Sequence, residues 1–229
     1  MKELSLFSGA GGGLLGAKLL GWMHCGYVEI NDYCQRVIAQ RIEDGILDRA
    51  PIFGDINAFI GEGYADAYQG LVDVVTAGFP CQYYSTAARG RQRKSKDLLP
   101  ETMSVIEIIR PKFALLENTS RKPIRAAAVE LSRLGYGCRC AEISSAAVGS
   151  IDNRRRYWLY ADANIEGESY GTEYEEVASV CRLPKMDWWE TEPSVMGMAN
   201  VLANRVDRLK ALGNGQVPIV AATAWELLR

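Results

Sequence analysis

Cys81, held in the string Gly78-Phe79-Pro80-Cys81-Gln82, is the residue whose surroundings speak first of reaction chemistry. A lone cysteine is ordinarily a small buried hydrophobe. This one follows an apolar stretch, Leu71 to Gly78, broken by glycine and proline, and it precedes the basic run Arg89-Gly90-Arg91-Gln92-Arg93-Lys94-Ser95-Lys96. Nearby positive charge favours the thiolate, the nucleophilic form of the side chain. Glu117-Asn118 ends another apolar stretch. Its carboxyl group could protonate or hydrogen-bond a substrate ring, or equally cap the next helix. Arg154-Arg155-Arg156 supplies a second cationic cluster. A nucleophile, a carboxyl and flanking cations are the parts of covalent catalysis.

A second group of residues has the pattern of a nucleotide site. Ser8-Gly9-Ala10-Gly11-Gly12-Gly13 lies between an apolar strand-like run and a helical one. Glycines there let the backbone approach a ligand closely, and a helix N-terminus offers free N–H groups. Glu29 follows about twenty residues later, placed to accept hydrogen bonds from ribose hydroxyls. Loop and carboxylate alone fit NAD, FAD or S-adenosylmethionine equally.

The elements that must position these groups read as alternating strands and helices. Strands are predicted at 3–7, 25–30, 52–56, 71–78, 113–117, 137–143 and 157–161. Helices are predicted at 14–20, 32–42, 100–109, 125–134 and 218–228. This is the pattern of an α/β fold, a largely parallel Rossmann-like sheet with helices on both faces. In such sheets ligands gather beyond the carboxyl ends of the strands, where the glycine loop, Glu29, Asp55, Pro80-Cys81 and Glu117 all fall. From 162 to 204 periodicity is lost, in a stretch holding an acidic run around Glu166 to Glu176 and the pair Trp188-Trp189. The expected division is a catalytic and cofactor-binding domain, 1–161 with 205–229, and a small irregular lobe, 162–204.

Composition narrows the function classes. The 229 residues carry a net charge of −2, so nucleic-acid binding would depend on a local basic face. No apolar run reaches the ~18 residues that cross a bilayer, and the N-terminus turns to glycine too soon for a signal peptide. A soluble, cytoplasmic protein is expected. The six cysteines form no C-x-x-C pair and His24 is the single histidine. That pattern argues against a metal site and against most histidine-based catalysis.

Taken in order, five strings resemble the DNA cytosine-5 methyltransferase family: Leu6-Phe7-Ser8-Gly9-Ala10-Gly11-Gly12, Gly78-Phe79-Pro80-Cys81-Gln82, Glu117-Asn118, Arg154-Arg155-Arg156 and Arg208-Leu209-Lys210-Ala211-Leu212-Gly213-Asn214. The resemblance implies S-adenosylmethionine as methyl donor and double-stranded DNA as substrate, with the target cytosine flipped from the duplex. It implies Cys81 as the nucleophile that attacks C6, and Glu117 as the carboxyl engaging N3 and the exocyclic amine. Arg156, supported by Arg154, would hold the base. The cofactor pocket would be drawn from Phe7, Gly9, Gly11, Gly12, Glu29, Ile30, Asp55, Ile56, Pro80 and Leu98, completed by Asn214 and Gly215. Glu29 would take the ribose and Asp55 the adenine amine. Residues 82–96 match a loop that closes over the flipped base, so Gln82, Ser85, Arg89, Arg91 and Arg93 become the DNA contacts. The 162–204 lobe matches the target-recognition region and is short for it, which resembles compact phage- or prophage-type members. Such members are expected to act as monomers, and a cognate restriction endonuclease is not inferable from the chain.

Departures from the family pattern are Tyr83-Tyr84 after Pro-Cys-Gln, Thr119 after Glu-Asn, Asp152 before the arginines, and Gln216 after Asn214-Gly215. None removes a catalytic atom. Two nearer readings compete, with a nicotinamide dehydrogenase a distant third that leaves the Pro80-Cys81-Gln82 string and the arginine triplet unexplained. One is a tRNA cytosine-5 methyltransferase, against which stands Phe79 where those relatives usually carry a second proline. The other is a catalytically silent DNA-binding relative, against which stand Cys81, Glu117 and Arg156.

Overall fold

The computed structural model describes residues 1–80, 97–150, 153–165, 175–177 and 215–229. Eight strands form one sheet: β1 (Lys2–Leu6), β2 (Met23–Val28), β3 (Ile52–Phe53), β4 (Val74–Ala77), β5 (Phe113–Asn118), β6 (Gly137–Ser144), β7 (Arg155–Asp162) and β8 (Glu175–Val177). Their order is β3-β2-β1-β4-β5-β7-β6-β8. The helices are α1 (Gly12–Leu19), α2 (Asp32–Glu43), α3 (Ile56–Gly61), α4 (Leu99–Ile109), α5 (Arg121–Arg133) and α6 (Pro218–Leu228). Among the described strands β7 alone runs against the others, pairing antiparallel with both β5 and β6. This reversal brings the start of β7, with its arginines, to the carboxyl end of β5.

The alternation of side chains along each strand assigns them to two layers. On one face Leu4, Leu6, Val75, Ala77, Ala114, Leu116, Leu159 and Ala161 pack with Phe59, Val105, Ile106, Ile124 and Leu131 of α3, α4 and α5. On the other, Val74, Leu115, Ile143, Trp158 and Tyr160 pack with Ala17 of α1 and with Val220, Ala221, Ala224 and Trp225 of α6. Trp225 meets Trp22 edge-on, their ring centroids 4.7 Å apart. Such a pair adds roughly 0.5–1.5 kcal/mol beyond the area it buries. Through it α6 is docked beside α1, and the segment entering α6 is drawn to the end of the sheet where β1, β4 and β5 finish.

Three elements depart from the expectations drawn from the residue pattern. The stretch 52–56 is a two-residue strand, and Asp55 is instead the N-cap of α3, its side chain accepting the Asn57 N–H. An aspartate able to satisfy a free helix donor favours a cap over continued strand. α5 starts at Arg121, four residues early, because Pro123 is tolerated in a first turn whose N–H groups lack intrahelical partners. Within the segment expected to be irregular, Glu175–Val177 pairs parallel with β6 as an edge strand.

His24 is buried at the start of β2, its Nδ1 2.9 Å from Asp48 and its Nε2 3.3 Å from Glu3. An irregularity of register after Glu3 and His24 leaves these two side by side. Glu3 also accepts the Thr76 hydroxyl at 2.6 Å, and burial pushes its carboxyl up to about 7.

Candidate active site

Where β1 ends, the chain turns sharply: Phe7 and Gly9 take φ of 53° and 55°, and Gly11, at 84°, caps α1. Positive φ at Gly11 is the conformation glycine adopts without a Cβ clash. The Arg41 guanidinium on α2 reaches over to donate to the Ala10 carbonyl. The Gly9 N–H donates to Oε2 of Glu29 at 2.6 Å, and the Asn31 N–H donates to Oε1 at 2.8 Å. Glu29, buried at the end of β2, is thus fixed against the glycine loop. Each carboxylate oxygen has further lone-pair capacity for a hydroxyl donor.

The glycines serve two different neighbours. A Cβ on Gly9 would meet nothing within 4 Å. A Cβ on Gly12 would lie 2.1 Å from the Gln216 carbonyl oxygen, and one on Gly16 would lie 2.7 Å from that of Pro218. The helical glycines therefore admit the backbone that leads into α6, whereas the turn glycine faces open space. At Gly12 the close neighbour is the chain's own C-terminal segment.

A cavity lies beneath the loop, between the sheet and α1. Phe7, Gly9, Gly12, Gly78, Glu117 and Gly215 contribute to its wall, with Glu3 and Trp158 deeper in. Trp158 Nε1 is buried without a hydrogen bond among the described residues, so this wall keeps an unmatched donor, while Glu3 Oε2 faces His24 Nε2 at 3.3 Å.

Glu117 sits at the carboxyl end of β5 and is 5% exposed. Arg156, from the start of β7, brings its Nε to 3.0 Å from Glu117 Oε1. Gln216 Nε2 donates to Oε2 at 3.2 Å. Burial pushes the Glu117 carboxyl up to about 7, opposed by the Arg156 charge and the Gln216 donor. The Arg156 contact is an ion pair without hydrogen-bond alignment, which leaves Oε1 able to accept from another donor. The neighbouring Asn118, 1% exposed, donates from Nδ2 to the Phe79 carbonyl at 3.0 Å. It ties the end of β5 to the chain two residues before Cys81. This tie was not assigned from the sequence, although Asn118 stood beside Glu117 in the motif.

The expected site residues divide as follows. Phe7, Gly9, Gly12, Glu117 and Gly215 share one cavity, with Glu29 joined to it through Gly9. Arg154 and Arg156 line a second, smaller one with Gly215. Ile30 is 70% exposed just beyond Glu29. Ile56 is buried among the aromatic residues under α3, so its side chain is committed to the core rather than to a ligand. Asp55, also expected in the pocket, lends Oδ1 to the backbone and side chain of Asn57. Gly11 is the α1 cap, Pro80 ends the described part of its loop, and Leu98 precedes α4 and packs partly buried on the core. Cys81, Gln82, Ser85, Arg89, Arg91, Arg93 and Asn214 lie outside the described residues. Of the described thiols, Cys138 and Cys140 are pushed by burial up to about 11 and about 12, and burial also raises Cys25. A thiol raised in this way is a poor nucleophile near neutral pH.

Comparison with known proteins agrees with this geometry. The chain is 26% identical over 201 residues to the type II methyltransferase M.CviJI of Paramecium bursaria Chlorella virus IL3A, covering 84% of this chain and 50% of that protein. It is 30% identical over 166 residues to the type II methyltransferase M1.HphI of Haemophilus parahaemolyticus, covering 67% of this chain and 43% of that protein. The chain thus spans about half the length of the curated relatives it matches. Among solved structures it superimposes on Spodoptera frugiperda DNMT2 with a TM-score of 0.57 at 18% identity, over 80% of this chain and 55% of that one. A prophage-encoded DNA modification methyltransferase from E. coli gives a TM-score of 0.52 at 22% identity, over 71% and 46%. These likenesses establish a shared methyltransferase sheet. A family model for C-5 cytosine-specific DNA methylases matches residues 1–182, and the chain, with its Gly78-Phe79-Pro80, Glu117-Asn118 and arginine strings at the ends of that sheet, belongs to the C-5 cytosine-specific DNA methylase family.

Proposed function

We propose that this chain transfers a methyl group from S-adenosylmethionine to C5 of cytosine in double-stranded DNA. The observation that carries the reading is the Glu117–Arg156 pair at the carboxyl end of β5, joined through Asn118 to the loop that leads into Cys81. A buried carboxyl near 7 exists partly protonated at neutral pH. In that form it can donate to cytosine N3 while its other oxygen accepts from the exocyclic amine. Arg156 offsets the charge that develops as the adduct forms.

In this mechanism the Cys81 thiolate attacks C6 of the flipped cytosine, and the electron pair of the C5–C6 double bond makes C5 enamine-like. C5 takes up the methyl group, loses its proton to solvent, and the C6–S bond breaks to return the thiolate. Arg154 supports Arg156. The residues fit the cofactor: Glu29 retains acceptor capacity for ribose hydroxyls, Gly9 faces open space, and the cavity wall has an unmatched donor in Trp158 Nε1. Phe7, Gly11, Gly12, Pro80, Leu98, Asn214 and Gly215 would complete that pocket, with Ile30 and Asp55 on the adenine side and Ile56 as support from the core. S-adenosylmethionine, when bound, supplies an electrophilic methyl group. Gln82, Ser85, Arg89, Arg91 and Arg93 would contact DNA, and 162–204 would carry target recognition on a catalytic body of 1–161 and 205–229.

The test is tritium transfer from labelled S-adenosylmethionine to duplex DNA and, in parallel, to tRNA. Wild-type protein labels the duplex, while Cys81→Ser abolishes transfer and still binds cofactor, because a serine alkoxide is scarcely available at neutral pH. Full turnover by Cys81→Ser, or transfer to tRNA alone, would overturn the proposal.

A further inference from the structure

Gln216 lies in the segment that leads into α6, and its surroundings are built around it. Two glycines, Gly13 of α1 and Gly78 just after β4, leave room for this one side chain. A Cβ on Gly13 would fall 2.4 Å from Oε1 of Gln216, and one on Gly78 would fall 2.8 Å from its Nε2. Gly12 accommodates the Gln216 backbone. The amide is therefore held between the N-terminus of α1 and the turn after β4, with Nε2 aimed at Glu117.

We propose that Gln216 is a positioning residue for Glu117: Arg156 engages Oε1 of the carboxyl and Gln216 engages Oε2, so that the two fix its plane and set the pH at which it holds a proton. The proposal rests on the reading of Glu117 as the group that engages cytosine. Among the described residues, Arg156, Arg154 and Glu3 are the charged groups that line the two cavities around this carboxyl. β7 contributes Arg156 at 3.0 Å. Arg154 lies around the adjoining cavity, which Arg156 and Gly215 also line. β1 contributes Glu3 at the far wall of the main cavity, and α1 contributes glycines there. Among the described residues Gln216 is thus the neutral donor to this carboxyl and Arg156 the guanidinium paired with it. An apolar residue there would leave Oε2 without that donor, and the carboxyl would hold its proton to a higher pH.

The magnitude follows from the geometry. A hydrogen bond to a charged group is worth roughly ten- to a hundredfold in an equilibrium, or about one to two pH units. At 3.2 Å this bond is longer than the ~2.8 Å of a strong charge-assisted one, which sets the expectation at the lower end, about one unit.

The experiment is a pH titration of the full chain carrying 13C-labelled glutamate carboxyls, followed by NMR. The Glu117 resonance is identified by its loss in Glu117→Gln. In Gln216→Met, which keeps length and removes the donor, the Glu117 midpoint should rise by about one unit. The alkaline limb of the methyl-transfer rate should move with it, while cofactor affinity stays within about threefold, below the effect of one such bond. An unchanged midpoint in folded Gln216→Met overturns the proposal. Should that variant fail to fold, Gln216→Glu is measured instead. Its shape is retained and its charge should raise the Glu117 midpoint, so an unchanged value there is equally decisive. If Glu117→Gln methylates at the wild-type rate, the reading of Glu117 falls, and the NMR midpoints still decide whether Gln216 governs its proton.

Discussion

Replacing Gly12 with alanine would set a methyl carbon 2.1 Å from the Gln216 carbonyl oxygen, 3.0 Å from its carbonyl carbon and 3.2 Å from its nitrogen. All three are backbone atoms, so relief requires the 215–217 segment to move away from α1. Overpacking of this kind costs about 1–3 kcal/mol, against a helix-propensity gain from glycine to alanine of under ~1 kcal/mol. The net expectation is a loss of about 1–2 kcal/mol, or a Tm lower by roughly 2–8 °C for a chain of this size. Gly13→Ala is the matched control, because its methyl meets the far end of a flexible side chain, Gln216 Oε1 at 2.4 Å. Swinging that amide aside costs about one hydrogen bond, ~1 kcal/mol, which the propensity gain nearly offsets. Gly13→Ala should therefore melt close to wild type. Thermal melting of both variants, with cofactor titration on each, makes the comparison. Equal melting temperatures for Gly12→Ala and Gly13→Ala would refute the view that the C-terminal backbone seats directly on the first turn of α1.

Glu29→Ala should weaken S-adenosylmethionine binding by roughly ten- to a hundredfold through lost hydrogen bonds to a charged acceptor, with duplex affinity retained; unchanged affinity by calorimetry would remove the carboxylate from the site. Glu3→Gln should stabilise the protein at alkaline pH. With a folded pKa of about 7 against an ordinary 4.5, the folded state holds a proton that the unfolded chain releases, so stability falls as pH rises from 4.5 through 7. The glutamine variant escapes that loss, and its advantage should grow by about 3 kcal/mol between pH 4.5 and pH 8 in urea unfolding; a pH-independent difference would contradict it. Arg91→Ala with Arg93→Ala should weaken duplex binding and flatten its salt dependence by about 0.9 in log–log slope per lost phosphate contact, leaving sequence preference unchanged. Identical slopes would take these arginines off the DNA.

The sequence by itself determined most of the scaffold and the inventory of the site. Apolar runs punctuated by glycine and proline located β1, β4 and β5, and the 3.6-residue spacing located α2 and α4, because those signals are local: a strand covered on both faces reads as a near-continuous apolar run, and a helix lying on the sheet as an apolar stripe. The glycine loop, Glu29 and Glu117 were legible for the same reason: each is a polar or flexible residue closing an apolar run. Local pattern misread Ile52–Ile56, where the short run hid a helix cap at Asp55. Only the tertiary structure decided that β7 runs antiparallel to β5, and hence that Arg156 reaches Glu117 across 39 positions of sequence. It alone seats Gln216, distant by 99 positions, on that same carboxyl. The sequence marked Gln216 as a departure without a role, since nothing local to it names a partner. The carboxyl's affinity for its proton is likewise a property of the folded chain, because its burial at the end of β5, opposed by the Arg156 charge and the Gln216 donor, sets it.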